Sequence, residues 1–189
     1  IIQDDQIIFC YYGKVSPPIH ILCTFDGWHR ELISCTQVGA SLFYYAMIKR
    51  PTVSEITYQF LYYSKHQEQV HFTDPLNKRI AFDHSAHSKF PHVSYIPLST
   101  HHSSTIELAH PLFPSIFPNI LPRPLYIYLP PDYYTNTKHY PVIYLQDGQN
   151  VFVTRGTSSG GGWEVNRSTD LLIMDKKIEP VIIVAIHHS

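Results

Sequence analysis

Short runs in which apolar residues alternate with other residues or fill the run dominate the first half of the chain: Gln6 to Tyr12, Ile19 to Phe25, Leu42 to Lys49 and Glu55 to Tyr63. They are rich in Ile, Val, Phe, Tyr and Thr, and Gly, Pro, Ser and Asp separate them. β-Branched and aromatic side chains suit a pleated surface and those breakers end it, so this half is expected to be all-β, with the spacing of a sandwich. Alternate side chains of a strand point to opposite faces. Phe43, Tyr45 and Met47 therefore share one face of the third run and Tyr44, Ala46 and Ile48 the other. With apolar groups on both, that sheet is expected to be covered on much of both sides.

Proline then becomes dense, at Pro111, Pro114, Pro118, Pro122, Pro124, Pro130 and Pro131. A segment that lacks so many amide donors reads as edge, turn and connector. The domain boundary is expected near residue 98, giving a β-sandwich over 1–98 and a second domain over 99–189. In the second, Leu125 to Leu129 and Val142 to Leu145 read as strands, Glu164 to Lys177 as a helix and Val181 to Ile186 as a buried strand. Val165 and Leu172 lie on one face of that helix, with Glu164 in its first turn and Lys176 and Lys177 in its last, matching the helix dipole. Strand, helix, strand is the pattern of a parallel crossover.

The 189 residues are 44% hydrophobic and 14% aromatic, enough to bury cores in one large or two small domains. Lys plus Arg is 14 and Asp plus Glu 15, so the formal charge is 14 − 15 = −1. No basic stripe stands ready for phosphates, which argues against nucleic acid as a partner. Cys10, Cys23 and Cys35 form no C-x-x-C pair or disulfide frame and read as buried small apolar residues. The longest strongly apolar run, Val181 to Ile186, is far below the roughly 20 residues of a membrane span, so no membrane partner is expected. The start, Ile1 to Asp5, has no positive flank of a secretory signal, which favours a cytoplasmic location without fixing it; a missing upstream segment leaves localisation open. Of 13 histidines, His84, His87, His92, His101 and His102 cluster among Ser, Lys, Pro and Thr. They read as solvated loop histidines, and neither a metal nor another cofactor is expected.

The most informative stretch is Tyr140 to Asn150, where an apolar strand runs into Asp147-Gly148. A strand cannot turn sharply without a residue that tolerates unusual torsions, so Gly148 is expected to mark the point where the backbone swings out over the sheet. Amides exposed there can point at a developing negative charge. Asp147 is expected to fix the turn by accepting amide hydrogen bonds, rather than to act as a catalytic acid.

Leu129 to Tyr133, Tyr140 to Phe152, Gly162 to Val165 and Ile178 to Ile186 together resemble the "Putative esterase" family of α/β-hydrolases. That family includes enterochelin and other siderophore esterases, feruloyl esterases and mycolyltransferases. Phe25-Asp26-Gly27-Trp28, Tyr58-Gln59-Phe60 and Asp74-Pro75-Leu76-Asn77 are similar to blocks of an early-set immunoglobulin-like domain related to glycogen-binding modules. The resemblance implies a mixed fold: an N-terminal immunoglobulin-like sandwich, then the first strands and helix of an α/β-hydrolase. It implies a serine carboxylesterase acting on a small-molecule or polysaccharide-linked ester. The Gln149 amide would be one oxyanion donor, Gly148 would shape its turn, and Asn150 and Trp163 would contact substrate. Trp163 reads equally as a lid over the core. The nucleophile strand, acid and histidine would lie beyond Ser189, leaving residues 1–189 inactive alone. Val181 to Ile186 would sit between the other two strands, and the open edge of Val142 to Leu145 would invite self-association.

Gly156-Thr157-Ser158-Ser159-Gly160 spells G-x-S-x-G, with Asp175 and His188 downstream. That motif works only on a strand-to-helix turn, and Gly160, Gly161 and Gly162 disfavour a helix directly after Ser158. Ser158 reads as a loop serine, with nucleophile as the minor reading. Two other function classes stay open: a glycan-binding module with Trp28 as a contact, and a degenerate, non-catalytic esterase acting in interactions. Gln59 stands where the related modules carry lysine, and the hairpin Ser64 to Glu68 lacks their second tryptophan. A packing role for Trp28 is the stronger expectation.

Overall fold

The computed structural model describes residues 1–3, 5–15, 18–24, 30–82, 92–98, 104–109, 123–153 and 162–188. The described residues are mostly β-sheet with few helices. The chain divides into two compact units, Ile1–Asp83 with Lys89–Thr100, and His84–Ser88 with His101–Ser189.

The first unit contains β1 (Ile2–Gln3), β2 (Gln6–Tyr12), β3 (Ile19–Thr24), β4 (Arg30–Ser34), β5 (Thr36–Gln37), β6 (Phe43–Lys49), β7 (Glu55–Tyr63), β8 (Gln69–Phe72), β9 (Arg79–Phe82) and β10 (His92–Pro97). One sheet runs β1-β2-β6-β5, and the other runs β9-β10-β7-β3-β4 with β8 on β7. Every pairing among these strands is antiparallel, and β2 and β6 pair along their full lengths, from Gln6 opposite Lys49 to Tyr12 opposite Phe43. Ile7, Phe9, Tyr11, Tyr44 and Ala46 from the first sheet meet Ile19, Ile21, Cys23, Ile56, Tyr58 and Phe60 from the second in one core. The rings of Phe9 and Tyr58 meet edge to face at 4.8 Å, and those of Tyr11 and Phe60 lie 5.4 Å apart.

Two expectations change here. The outward face of β6 is not covered: Tyr44 and Ala46 are buried, whereas Phe43 and Tyr45 are half-buried and Met47 is exposed. An antiparallel sheet can keep one face in water, and apolar composition alone does not say which side is packed. Of the cysteines only Cys23 is buried; Cys10 and Cys35 are partly so, and none of the three forms a disulfide. Burial pushes the Cys35 thiol up to about 12, so it stays protonated.

Polar contacts tie the middle of this unit together. The Tyr58 hydroxyl donates to Asp74 Oδ2 at 2.6 Å, and the Asp74 N–H donates to Ser94 Oγ at 2.8 Å. Asn77 Nδ2 donates to the Tyr58 hydroxyl at 3.2 Å and to the Tyr95 carbonyl at 3.0 Å. The Asp74–Asn77 turn is thus locked onto β7 and β10. Burial first, then Asp74, raises the Tyr58 hydroxyl well above the usual tyrosine range.

The second unit contains β11 (Thr105–Ala109), β12 (Leu125–Leu129), β13 (Val142–Leu145), α1 (Gly148–Val151), α2 (Val165–Met174) and β14 (Ile182–Ile186). Its strands lie in the order β13-β14-β12-β11, so β14 sits between β12 and β13 as expected. β13 and β14 are parallel, joined through α2, while β14 and β12 are antiparallel. The helix is shorter than the expected Glu164–Lys177, because Glu164 and Lys176 both take left-handed torsions, at φ 46 and φ 55. Leu172 is exposed, and the residue that α2 buries is Thr169. The anchor of α2 is polar: Asp170 Oδ1 accepts from the Tyr128 hydroxyl and Oδ2 from Ser104 Oγ, each at 2.8 Å. Tyr128 is fully buried, and burial followed by the Asp170 bond raises its hydroxyl well above the usual range.

Candidate functional site

The site is built where β13 ends. Asp147 turns the chain from strand to helix in one step by adopting left-handed torsions, φ 56 and ψ 44. The unusual torsion therefore belongs to Asp147, which corrects the expectation that Gly148 would carry it; Asp is among the few residues besides glycine that visit this region readily. Nor does the Asp147 carboxylate cap the helix. The bond that closes the turn is from the Asn150 N–H to the Asp147 carbonyl, at 2.8 Å.

Gly148 is needed for a different reason, which is closeness. A Cβ there would lie 2.8 Å from the carbonyl carbon and oxygen of Ala185 and from the carbonyl carbon of Ile186. Only a residue without a side chain lets the start of α1 rest on the backbone of β14. The first amides of a helix have no acceptor within it, and Gln149, second in α1, stands at the carboxyl end of β13. The Gln149 side chain binds the same place: its Oε1 accepts from the His188 N–H at 3.2 Å. His187 is fixed beside it by its own N–H, which donates to the Pro124 carbonyl at 3.1 Å.

Trp163 is brought to this turn through the backbone. Its N–H donates to the Asn150 carbonyl at 2.9 Å, and 51% of its surface is exposed, so it does not seal the core. Gly162, which opens the Gly162–Val165 block and disfavours a helix after Ser158, has a further role in the structure. A Cβ on it would sit 1.8 Å from the Val153 carbonyl oxygen, so it permits two backbone segments to touch. The signal available in the sequence was its position directly before Trp163.

Gly148, Gln149, Asn150 and Trp163 thus form one cluster, while Ser158 and Trp28 lie outside the described residues. The acid and imidazole downstream of Ser158 are not brought together. The crossover returns the chain along α2, leaving Asp175 toward the amino end of β14 and His188 past its carboxyl end, separated by a strand about 13 Å long. Asp175 instead pairs with Lys177 at 3.2 Å in solvent. Among the described residues no group of His, Cys, Asp or Glu is arranged to hold a metal ion. Among the described residues no helix is long and apolar enough to cross a membrane.

Residues 121–189 match the model of the family described as "Putative esterase". This stretch of the chain is esterase-like, and the cluster around Gly148 falls inside it. No curated protein matches the chain. Among solved structures, the enterochelin esterase of Shigella flexneri is similar over 98% of this chain and 53% of its own, at 12% identity and a TM-score of 0.43. The ferric enterobactin esterase of Salmonella typhimurium is similar over 96% of this chain and 53% of its own, at 11% identity and a TM-score of 0.40. The chain spans about half the length of these structures.

Proposed function

We propose that this chain is the N-terminal part of a serine carboxylic ester hydrolase, with an immunoglobulin-like sandwich over residues 1–98 and the opening of an α/β-hydrolase domain over 99–189. The observation that carries the reading is the turn after β13, where Gly148 rests on β14 and the Gln149 amide heads α1, within the stretch that matches the esterase family.

In this reading a serine oxygen attacks the ester carbonyl, a histidine takes its proton, and negative charge gathers on the former carbonyl oxygen. The Gln149 N–H donates to that oxygen. Such a donor, fixed in advance, costs no reorganisation as the charge develops. The histidine then returns its proton to the leaving alkoxide, and water releases the acyl group. Asn150 and Trp163 line the substrate side. The substrate is a small-molecule or polysaccharide-linked ester, and the chemistry calls for neither metal nor other cofactor. The serine, acid and histidine come from polypeptide outside residues 1–189, on a strand laid against the free side of β13.

The state of β13 supports that last point. Among the described residues it stands at the end of the strand order, and Val142, Ile143 and Tyr144 are 44%, 44% and 69% exposed. An apolar edge of this kind pairs with another strand, and residues 1–189 alone would use it to self-associate.

The test is ester hydrolysis by the product of the full reading frame. Gly148→Ala, which distorts the turn, should lower kcat by about 10² to 10³, the usual cost of one oxyanion donor. Gln149→Ala keeps the amide and should cost less. Equal activity in the wild type and Gly148→Ala would remove the turn from the mechanism.

A further inference from the structure

We infer that the side chain of Gln149 is a specificity-determining group, whose Nε2 donates a hydrogen bond to an oxygen acceptor on the acyl part of the ester. The inference rests on the esterase reading and adds to the main-chain role of the same residue. Gln149 Oε1 accepts from the His188 N–H at 3.2 Å. Because that partner is a donor, it decides which way the amide faces: Oε1 lies toward the end of β14 and Nε2 away from it. Among the described residues Nε2 donates to no group, and Gln149 is only half-buried. The buried side-chain atom without a partner among the described residues is Asn166 Oδ1, so Nε2 is open to solvent.

The anchor of this amide is firm. His187 donates its own N–H to the Pro124 carbonyl at 3.1 Å, and its ring centroid lies 6.4 Å from that of the buried Tyr126 and 5.8 Å from that of His188. A side chain tied down in advance loses little further freedom on binding. The residue type follows from two tasks. Glutamate accepts from His188 but has no donor when ionised, lysine and arginine donate but cannot accept, and asparagine is one methylene shorter. Glutamine does both. The acyl part is the target because, in the esterase reading, its carbonyl oxygen stays with the Gln149 main-chain N–H through attack and release, whereas the alkoxide departs. One residue thus reads two oxygens of one acyl group. A substrate lacking the second oxygen leaves the Nε2 donor without its partner, which penalises it.

The test is hydrolysis of two pairs of p-nitrophenyl esters by the product of the full reading frame: methoxyacetate against butyrate, and 3-methoxypropionate against valerate. Each pair differs by one ether oxygen in place of a methylene, and comparing variants within a pair cancels the intrinsic reactivity of the esters. The kcat/KM ratio of ether to alkyl ester in at least one pair should fall about threefold to tenfold in Gln149→Met, as expected for one neutral hydrogen bond, with KM carrying the change. Gln149→Glu keeps the acceptor for His188 and removes the donors, so its ratio should fall as well. An unchanged ratio in both variants would overturn the inference. So would a fall confined to Gln149→Met, because the effect would then belong to the lost tie to His188. A wild type that hydrolyses none of the four esters would remove the esterase reading itself, and this inference with it.

Discussion

Gly148 and Ala185 touch through their backbones: a Cβ on Gly148 would stand 2.8 Å from the Ala185 carbonyl carbon and oxygen. The contact is made by backbone rather than by a flexible side chain, so neither partner can yield cheaply. Gly148→Ala should destabilise the protein by about 1 to 3 kcal/mol, the usual cost of forcing atoms into a packed site. Thermal denaturation measures it. A melting temperature equal to that of the wild type would mean that α1 lifts off β14 freely.

Asp74 is buried and depends on donors from Tyr58 and its own turn. Tyr58→Phe removes the hydroxyl and leaves a buried carboxylate oxygen short of a partner, which costs about 1 to 3 kcal/mol. Urea unfolding followed by circular dichroism should show the lowered midpoint. An unchanged midpoint would mean that water replaces the hydroxyl.

Tyr58 and Tyr128 also give the fold an alkaline limit. Both hydroxyls are raised above the unfolded value near pH 10, by burial first and by the neighbouring carboxylates second. The folded state therefore holds protons that the unfolded chain releases. Their contribution is fully present below about pH 10 and is lost as pH rises above it. The urea midpoint should fall between pH 9 and roughly 11, and less steeply in the Tyr58→Phe, Tyr128→Phe double variant. An equal slope in both proteins would contradict these assignments.

The edge at β13 predicts concentration-dependent association of residues 1–189. Tyr144→Lys places a charge on the strand, a common device against edge pairing, and should shift light scattering toward the monomer. Association unchanged in Tyr144→Lys would place the contact elsewhere.

Where the hydrophobic pattern was strong, the sequence was easy to read. Gln6–Tyr12, Glu55–Tyr63, Leu125–Leu129 and Val142–Leu145 are strands with the expected limits, because alternation or a continuous apolar run marks them against polar breakers. β8, β9, β10 and β11 were not visible. Segments such as Arg79–Phe82 and Thr105–Ala109 mix charged and apolar residues over a few positions, and neighbouring strands, not their own pattern, make them strands. In the site, the position of the turn was legible from Asp147-Gly148, but the division of labour was not. Sequence suggests glycine for the strained torsion, whereas the fold gives that torsion to Asp147 and uses Gly148 for contact with β14. Close backbone approach depends on a strand that arrives some 35 residues later, so local sequence carries no trace of it.

The most direct test compares hydrolysis of p-nitrophenyl acetate by residues 1–189 with hydrolysis by the product of the full reading frame. Turnover is expected only from the full product, falling about 10² to 10³ in Gly148→Ala. Turnover by residues 1–189 alone that Ser158→Ala abolishes would contradict the account.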